Sequence, residues 1–325
     1  MRFTLSRCIR LQVVPLVLLS LGIACGAPVL DSTDVEITDT QPTQNAAPVT
    51  GDPVYFGVLA IDSAVSVNER YGPLLNYLST EIGRPVELVI LSQESQFTKV
   101  AEEALDFTTN NPLAAVQIQR LYDTEFLVTH TRPKTGAQFS GLIVVNADSD
   151  ITSIQDLKGR KAACVNFQTA AAGCTFQIYH LLQNDFDPHK EFSSFVENKS
   201  QDNIVLAVLN GTIDVGFIRT GQLEKMVNKG LLNDLGEIRV IDAADDDFFY
   251  PHTTELYPEW PIAALSSTDP QLAEQMQAAL LRLPTDHPAL TTLKADSFIP
   301  AVNYDSLNRL VETLELKSWD ADPVE

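Results

Sequence analysis

The chain has 325 residues, 45% of them hydrophobic and 20% charged, with 43 acidic against 22 basic residues and a formal net charge of −21 at pH 7. Such a surface repels nucleic acid and anionic lipid headgroups alike, which excludes both as partners held by charge. The length is enough for two modest domains with hydrophobic cores.

Arg2, Arg7 and Arg10 precede a mostly apolar run from Val13 to Ala24, and Cys25 follows. A basic start, a short apolar run and small residues before a cysteine describe an export signal of the lipoprotein type over residues 1–24, with Cys25 as the lipid acceptor. A signal cut elsewhere is the alternative, because Gly22 stands where lipoprotein signals prefer Leu. The run is too short to span a bilayer as a permanent helix. The expected location is therefore outside the cytoplasm, periplasmic or on the outer face of the cell membrane, touching lipid through the anchor only. Residues 25–52 are rich in Thr, Pro, Asp, Ala and Gln without amphipathic period, the composition of a flexible tether.

From Pro53 the pattern alternates between strand and helix. Residues 54–60 form a compact apolar run. Ser66 followed by Glu69 is a capping-box pair, and Tyr71, Leu74, Leu75, Leu78 and Ile82 then recur at helical spacing. Gly83 is placed to end that helix and Pro85 to prevent its resumption. A strand at 86–91, a helix marked by Phe97, Val100, Ala101, Ala104 and Leu105, and a strand at 106–109 follow. A helix from Pro112 and strands at 125–130 and 139–146 come next. The alternation then repeats, with strands at 161–165, near 192–196, at 213–218 and at 238–241. Helices lie between them, one marked by Phe176 and Leu181, one by Ile204 and Val208, and one running to Lys229. The segment 250–261 returns to a strand at 262–266 and helices at 270–283 and 305–316. Alternating strands and helices predict α/β architecture, with mostly parallel sheets flanked by helices. The expected division is a first lobe from 53–147 and 250–316, a second lobe from 148–249, and a tail at 317–325. Two lobes joined by two crossings make a cleft, and ligands favour the C-terminal ends of such strands.

Of the four cysteines, Cys8 leaves with the signal and Cys25 takes the lipid. Cys164 and Cys174 remain, ten residues apart in a compartment where disulfides persist. A disulfide, two buried free thiols and a redox-active or ligand-reactive pair are the three readings. The five histidines, at 130, 180, 189, 252 and 287, lack metal-ligand spacing. No phosphate loop, nucleophile elbow or His-Glu-x-x-His motif is present, so neither catalysis, cofactor nor metal is expected. Asp245, Asp246 and Asp247 read as a solvated acidic turn.

The stretch His252-Thr-Thr-Glu-Leu-Tyr-Pro-Glu-Trp-Pro261, the later Ile299-Pro-Ala-Val-Asn-Tyr-Asp305 and two look-alike helix-to-strand segments at 100–111 and 207–219 together resemble one family. It is the phosphate/phosphite/phosphonate-binding proteins of ABC importers, and the Glu-Leu-Tyr-Pro-Glu-Trp-Pro stretch is nearest the sensor-domain branch found on tetrathionate-type histidine kinases. The resemblance covers roughly residues 54–316. It implies a two-lobed type 2 periplasmic-binding-protein fold with the ligand cleft between the lobes, closing by hinge motion.

Carried onto this chain, the resemblance points to five places. The first is the loop after the first strand, Asp62 and Ser63, although Asp62 beside an anion is unfavourable and a plain turn is the alternative. The second is Asn110 and Asn111 before Pro112, which also make good helix-start chemistry in any protein. The third is the loop with Thr169, Gly173 and Thr175, where Ala170, Ala171 and Ala172 replace the family's hydroxyl residues. That departure disfavours a tightly held phosphonate and suits a more apolar or sulfur-containing ligand. The fourth is Arg219 with Thr220, where a guanidinium suits bidentate oxyanion recognition, a surface salt bridge being the alternative. The fifth is His252, a donor to an anion or a satisfied hinge histidine. Tyr257 and Trp260 read as packing residues, stiffened by Pro258 and Pro261.

The expected function is a lipid-anchored, monomeric solute-binding protein that captures a small oxyanion, phosphonate-like, for an ABC permease. Two alternatives remain open: a ligand-sensing accessory of a membrane sensor kinase, and a thiol/disulfide redox protein.

Overall fold

The computed structural model describes residues 50–316, apart from Asp62 and Glu94. The signal, Cys25, most of the tether, Asp62 and the tail lie outside the described residues.

β1 (Val54–Leu59) leads into α1 (Ala64–Ile82), whose Val67, Tyr71, Leu74, Leu75 and Leu78 form one buried stripe. The helix begins three residues before the expected capping box. Ser63 is the cap, its hydroxyl accepting from the Ser66 N–H at 3.3 Å, which leaves Ser66 inside the first turn. Gly83 ends the helix at φ 70°, where a side chain would be strained. β2 (Val86–Leu91), α2 (Ser95–Ala101), β3 (Phe107–Thr109), α3 (Pro112–Tyr122) and β4 (Glu125–Thr131) follow. The expected strand at 139–146 is broken at Ser140 into β5 (Gln138–Phe139) and β6 (Gly141–Asn146), because Ser140 pairs with Thr220 instead of continuing a ladder.

β7 (Lys161–Cys164), α4 (Phe176–Gln183), α5 (Pro188–Glu191), β8 (Ser194–Glu197), α6 (Gln201–Leu209), β9 (Val215–Arg219), α7 (Gln222–Asn228) and β10 (Ile238–Ile241) build the second half. The chain returns through β11 (Tyr257–Pro258) to β12 (Pro261–Ala264) and α8 (Pro270–Leu281). α9 (Pro288–Leu293) and β13 (Ser297–Pro300), two elements that carry no expectation from sequence, precede α10 (Asp305–Thr313). α3, α5, α8 and α9 share one start device: a proline at the first helical position, preceded by Asn111, Asp187, Asp269 or His287 as cap.

The strands form two sheets, ordered β13-β4-β12-β3-β1-β2 and β10-β6-β9-β7-β8, and a two-stranded ribbon of β11 with β5. Pairing is parallel for β2-β1-β3 and β8-β7-β9. It is antiparallel wherever β12, β13, β6 or β10 takes part. The sheets are therefore mixed where mostly parallel ones were expected. The reason is that β6 and β12 enter from the other half of the chain, without a crossover helix to turn them into parallel register. The first sheet packs its core on α1, α8 and α9. The second is covered on both faces, by α4 on one and by α6 and α7 on the other. This is a two-lobed mixed α/β fold.

A third apolar cluster bridges the halves: Leu113 and Val116 of α3 meet Ala171, Ala172, Phe176 and Tyr257, with Leu307 and Leu310 of α10. Part of the chemistry expected from 166–175 is thus packing. Ala171 and Ala172 are each only 4% exposed.

Candidate functional site

The strands β1, β3, β7 and β9 end at loops that carry most of the nominated residues. After β3, the Asn110 amide donates to Gln96 Oε1 at 2.8 Å while its oxygen accepts from the Thr108 hydroxyl at 2.7 Å. Asn111 caps α3 by accepting from the Ala114 N–H at 3.1 Å, and its Nδ2 donates to the Thr169 carbonyl at 3.0 Å. That bond joins the β3 end of the first sheet to the β7 loop of the second. Asn111→Ala should therefore lose a cap as well as a bridge, at about 1 kcal/mol for the cap alone, measurable by denaturant unfolding. A cost indistinguishable from zero would show that the cap is replaced by solvent.

The loop after β7 is shaped by Asn166, whose Oδ1 accepts from the N–H groups of Gln168 and Thr169 and from the Thr169 hydroxyl at 2.8 Å. Residues Ala171–Thr175 then wind one π turn into α4. Gly173 is required there: a Cβ would sit 2.9 Å from Val165 Cγ2. The Thr175 hydroxyl returns to the Ala170 carbonyl at 3.2 Å and is fully buried. Cys164 and Cys174 are joined by a disulfide, Cα–Cα 5.0 Å, that ties the end of β7 to this turn.

At the end of β9, Arg219 is exposed, and its N–H donates to Gln201 Oε1 at 2.9 Å. Gln201 opens α6, and its Nε2 lies 3.3 Å from where a Gly173 Cβ would stand, so it spans the gap between the π turn and β9. Ser63 is exposed at the start of α1, sharing a hydrogen bond with the Ser66 hydroxyl at 3.0 Å.

Thr220 and His252 belong to a different assembly, the hinge. Thr220 exchanges two bonds with Ser140, N–H to carbonyl at 2.9 Å and N–H to hydroxyl at 3.3 Å. The Ser140 hydroxyl lies 2.7 Å from the Thr254 carbonyl and 3.4 Å from His252 Nδ1. His252 is buried, with Nδ1 2.8 Å from the Thr254 carbonyl and Nε2 3.1 Å from both Asp246 oxygens. Both ring nitrogens therefore face acceptors within the hinge. The Phe248 N–H first, and then His252, hold the Asp246 carboxyl below the ordinary carboxylate range. Asp246 is thus more than part of a solvated acidic turn.

The structure thus brings Asn110, Asn111, Thr169, Gly173 and Thr175 into one set of facing loops, with Arg219 joined to them through Gln201. It brings Thr220 and His252 together in the hinge, and leaves Ser63 apart. Gln96, Gln177 and Gln201 were missed by sequence reading, because an amide on a helix has no spacing signature; only the contact reveals it. Also at the hinge end of the first sheet, Arg132 faces Glu259 at 3.5 Å and donates to the Leu293 carbonyl at 2.8 Å. An open groove of about 360 Å³ containing Asp148, Asp214 and the Arg160–Asp150 pair lies at the start of β9, away from the end that bears Arg219. Among the described residues no group of three His, Cys, Asp or Glu could hold a metal ion, and no helix is long and apolar enough to cross a membrane.

Comparison with known proteins adds the lineage. Among solved structures, the chain is similar to XAC2383 from Xanthomonas citri bound to ATP, with TM-score 0.66 and 20% identity, covering 85% of this chain and 100% of that one. It is equally similar to PhnD1 from Prochlorococcus marinus in complex with methylphosphonate, with TM-score 0.66 and 16% identity, covering 81% and 98%. A binding-protein component of an ABC phosphonate transporter from Pseudomonas aeruginosa gives TM-score 0.61 and 17% identity, covering 82% and 85%. These likenesses are of fold. The tetrathionate sensor histidine kinase TtrS of Salmonella typhimurium is 23% identical over 275 residues, 81% of this chain. The chain spans 46% of the length of that relative. The model of the ABC transporter phosphonate periplasmic substrate-binding proteins matches residues 56–305, well over half of the chain. With its two sheets, hinge ribbon and facing loops, the chain belongs to that family of periplasmic substrate-binding proteins.

Proposed function

We propose that this protein captures a small anionic ligand between its two lobes, outside the cytoplasm, and delivers it to an ABC permease. The observation that carries the reading is the Asn111–Thr169 bond, which makes the loops after β3 and β7 meet across the two sheets, where the resemblance implies that the solute sits. The lobes of this reading, 53–147 with 250–316 and 148–249, follow the two sheets except at β6, which pairs in the second sheet and so moves the first crossing back to Ser140, between β5 and β6. A lipid on Cys25 keeps the protein at the membrane as a monomer.

Arg219 is the cation of the site, with the Leu113 N–H in the first turn of α3 as a further donor, since Pro112 has none and the Ala114 N–H is taken by Asn111. Most nominated hydroxyls and amides are engaged within the protein. The guanidinium of Arg219 suits bidentate recognition of an oxyanion better than these engaged hydroxyls do. A phosphonate or a related phosphorus or sulfur oxyanion is the ligand class.

The test is a thermal-shift screen of the protein with phosphate, phosphite, methylphosphonate, thiosulfate, tetrathionate and small carboxylates. A ligand at about 100 times its dissociation constant adds roughly 2.7 kcal/mol, and Arg219→Ala should abolish the shift. Silence from every oxyanion would sink the reading.

The similarity to a tetrathionate sensor kinase favours a second reading, an accessory that presents ligand to a membrane histidine kinase. A shift confined to sulfur oxyanions, with co-purification of such a kinase, would support it over import. Burial of both disulfide cysteines, each 0% exposed, weighs against a redox role that needs accessible sulfur.

A further inference from the structure

We propose that Gln177, on the first turn of α4, is a positioning residue that couples the ligand loop to the hinge. This rests on the binding role argued above and extends it to how the loop is held.

Gln177 is fully buried. Its Nε2 faces three main-chain carbonyls at once: Ala172 at 2.8 Å, Ile218 at 2.8 Å and Leu142 at 3.2 Å. Two of them, Ile218 and Leu142, are register partners on β9 and β6 of the second sheet, and the third lies in the turn that leads into α4. Ala172 lies in the π turn that follows β7, in the ligand loop. Ile218 immediately precedes Arg219 on β9. Leu142 lies on β6, one residue after Gly141, whose carbonyl accepts the N–H groups of Thr253 and Thr254 in the returning hinge segment at 2.9 and 3.2 Å. The register of the second sheet explains the need. β7 pairs with β9 only as far as Gly216, and beyond it the strands part to make room for the loop. The carboxamide fills the gap and supplies the donor that the missing strand would have given.

Two further observations give the contact direction. Gly141 has no side chain, and a Cβ there would lie 2.5 Å from Gln177 Nε2, so the hinge backbone approaches the amide as closely as glycine allows. The neighbouring Phe176 stacks on Tyr257 of β11 at 3.9 Å and packs on Phe139 of β5 at 5.5 Å, thereby gripping both strands of the ribbon. One helical turn therefore touches the ligand loop, the strand end that carries Arg219, and both hinge crossings. A displacement of the π turn on ligand entry is passed to the hinge through buried hydrogen bonds, which break at substantial cost when left unmade.

The experiment is amide hydrogen exchange on the full protein as Gln177→Met, which keeps the shape and removes the donor. Gln117→Met is the control, another buried glutamine, on α3, whose Nε2 has no partner. Exchange at Thr175 and Phe176 in the loop and at Gly141, Thr253 and Thr254 in the hinge should accelerate together, by at least tenfold, in Gln177→Met and not in Gln117→Met. Titration with methylphosphonate should show about tenfold weaker binding in the first variant only. Should Gln177→Met not fold, Gly141→Ala displaces the amide from the hinge side, and should accelerate the same loop amides. Faster exchange in the loop alone, with the hinge amides unchanged, would overturn the coupling. If the unmutated protein binds none of the oxyanions, the ligand reading fails by itself while the exchange result still decides the coupling.

Discussion

Replacing Cys164 and Cys174 together with alanine should cost the protein about 3 kcal/mol of stability, the loop-closure entropy of a ring of this size. The disulfide closes a ten-residue separation, and both sulfurs lie in the core cluster under the second sheet. Two cavities of roughly one sulfur each add to the loss. The effect on ligand capture should exceed what stability alone predicts. Cys174 lies inside the π turn whose Ala171 and Ala172 pack against Leu113 and Val116, so a freed turn loosens the meeting of the two halves. Denaturant unfolding of the oxidised, reduced and double-alanine proteins measures the first quantity. Equal midpoints for all three would show that the bridge adds nothing to the fold.

His130 should make the protein sensitive to mild acid. The ring is 1% exposed, neither nitrogen has a hydrogen-bond partner, and Phe298 meets it edge-on at 4.8 Å. Burial first, and the positive charge of Arg132 second, hold its pKa well below the ordinary 6.5. The sign follows directly. The unfolded chain takes up a proton near pH 6.5 that the folded protein refuses, so stability is intact above that pH and falls as the pH drops towards the folded pKa. The loss from this one group grows as the pH falls below 6.5, at a slope that approaches about 1.4 kcal/mol per pH unit. His130→Phe removes it. The variant also changes packing by an amount that pH does not touch, so only the change with pH of the difference between the two proteins counts. A difference that stays constant from pH 7.5 to pH 5 would refute the assignment. The abundant carboxylates act in both proteins and cancel.

Much of the fold was legible because it is written locally. The stripe from Tyr71 to Leu78 with Gly83 after it, and Asn111 before Pro112, are signals contained within one helix and its caps. What sequence reading lost was non-local. Nothing in residues 261–264 says that they will insert between β3 and β4 in antiparallel register. Nothing in Ala171 and Ala172 says that these residues pack on α3; the absence of hydroxyls there looked like a changed ligand. His252 shows the same limit. Its two partners, Asp246 and Thr254, are close in sequence, yet only the fold of the return segment turns the ring inward toward Ser140.

The insertion of β12 also fixes an order of events during synthesis and export. Every strand of the second sheet lies between residues 141 and 241, so that half can form as soon as it has emerged. The first sheet cannot. β3 and β4 are made early but are not neighbours, and the strand that joins them arrives some 130 residues later. Until then the first half is two fragments with exposed apolar faces and unpaired strand edges, open to chaperones, proteases and to one another. A nascent chain stopped at residue 256 should therefore protect the second half from protease and leave the first half digestible, which makes the earliest-made part of the mature protein the last to fold.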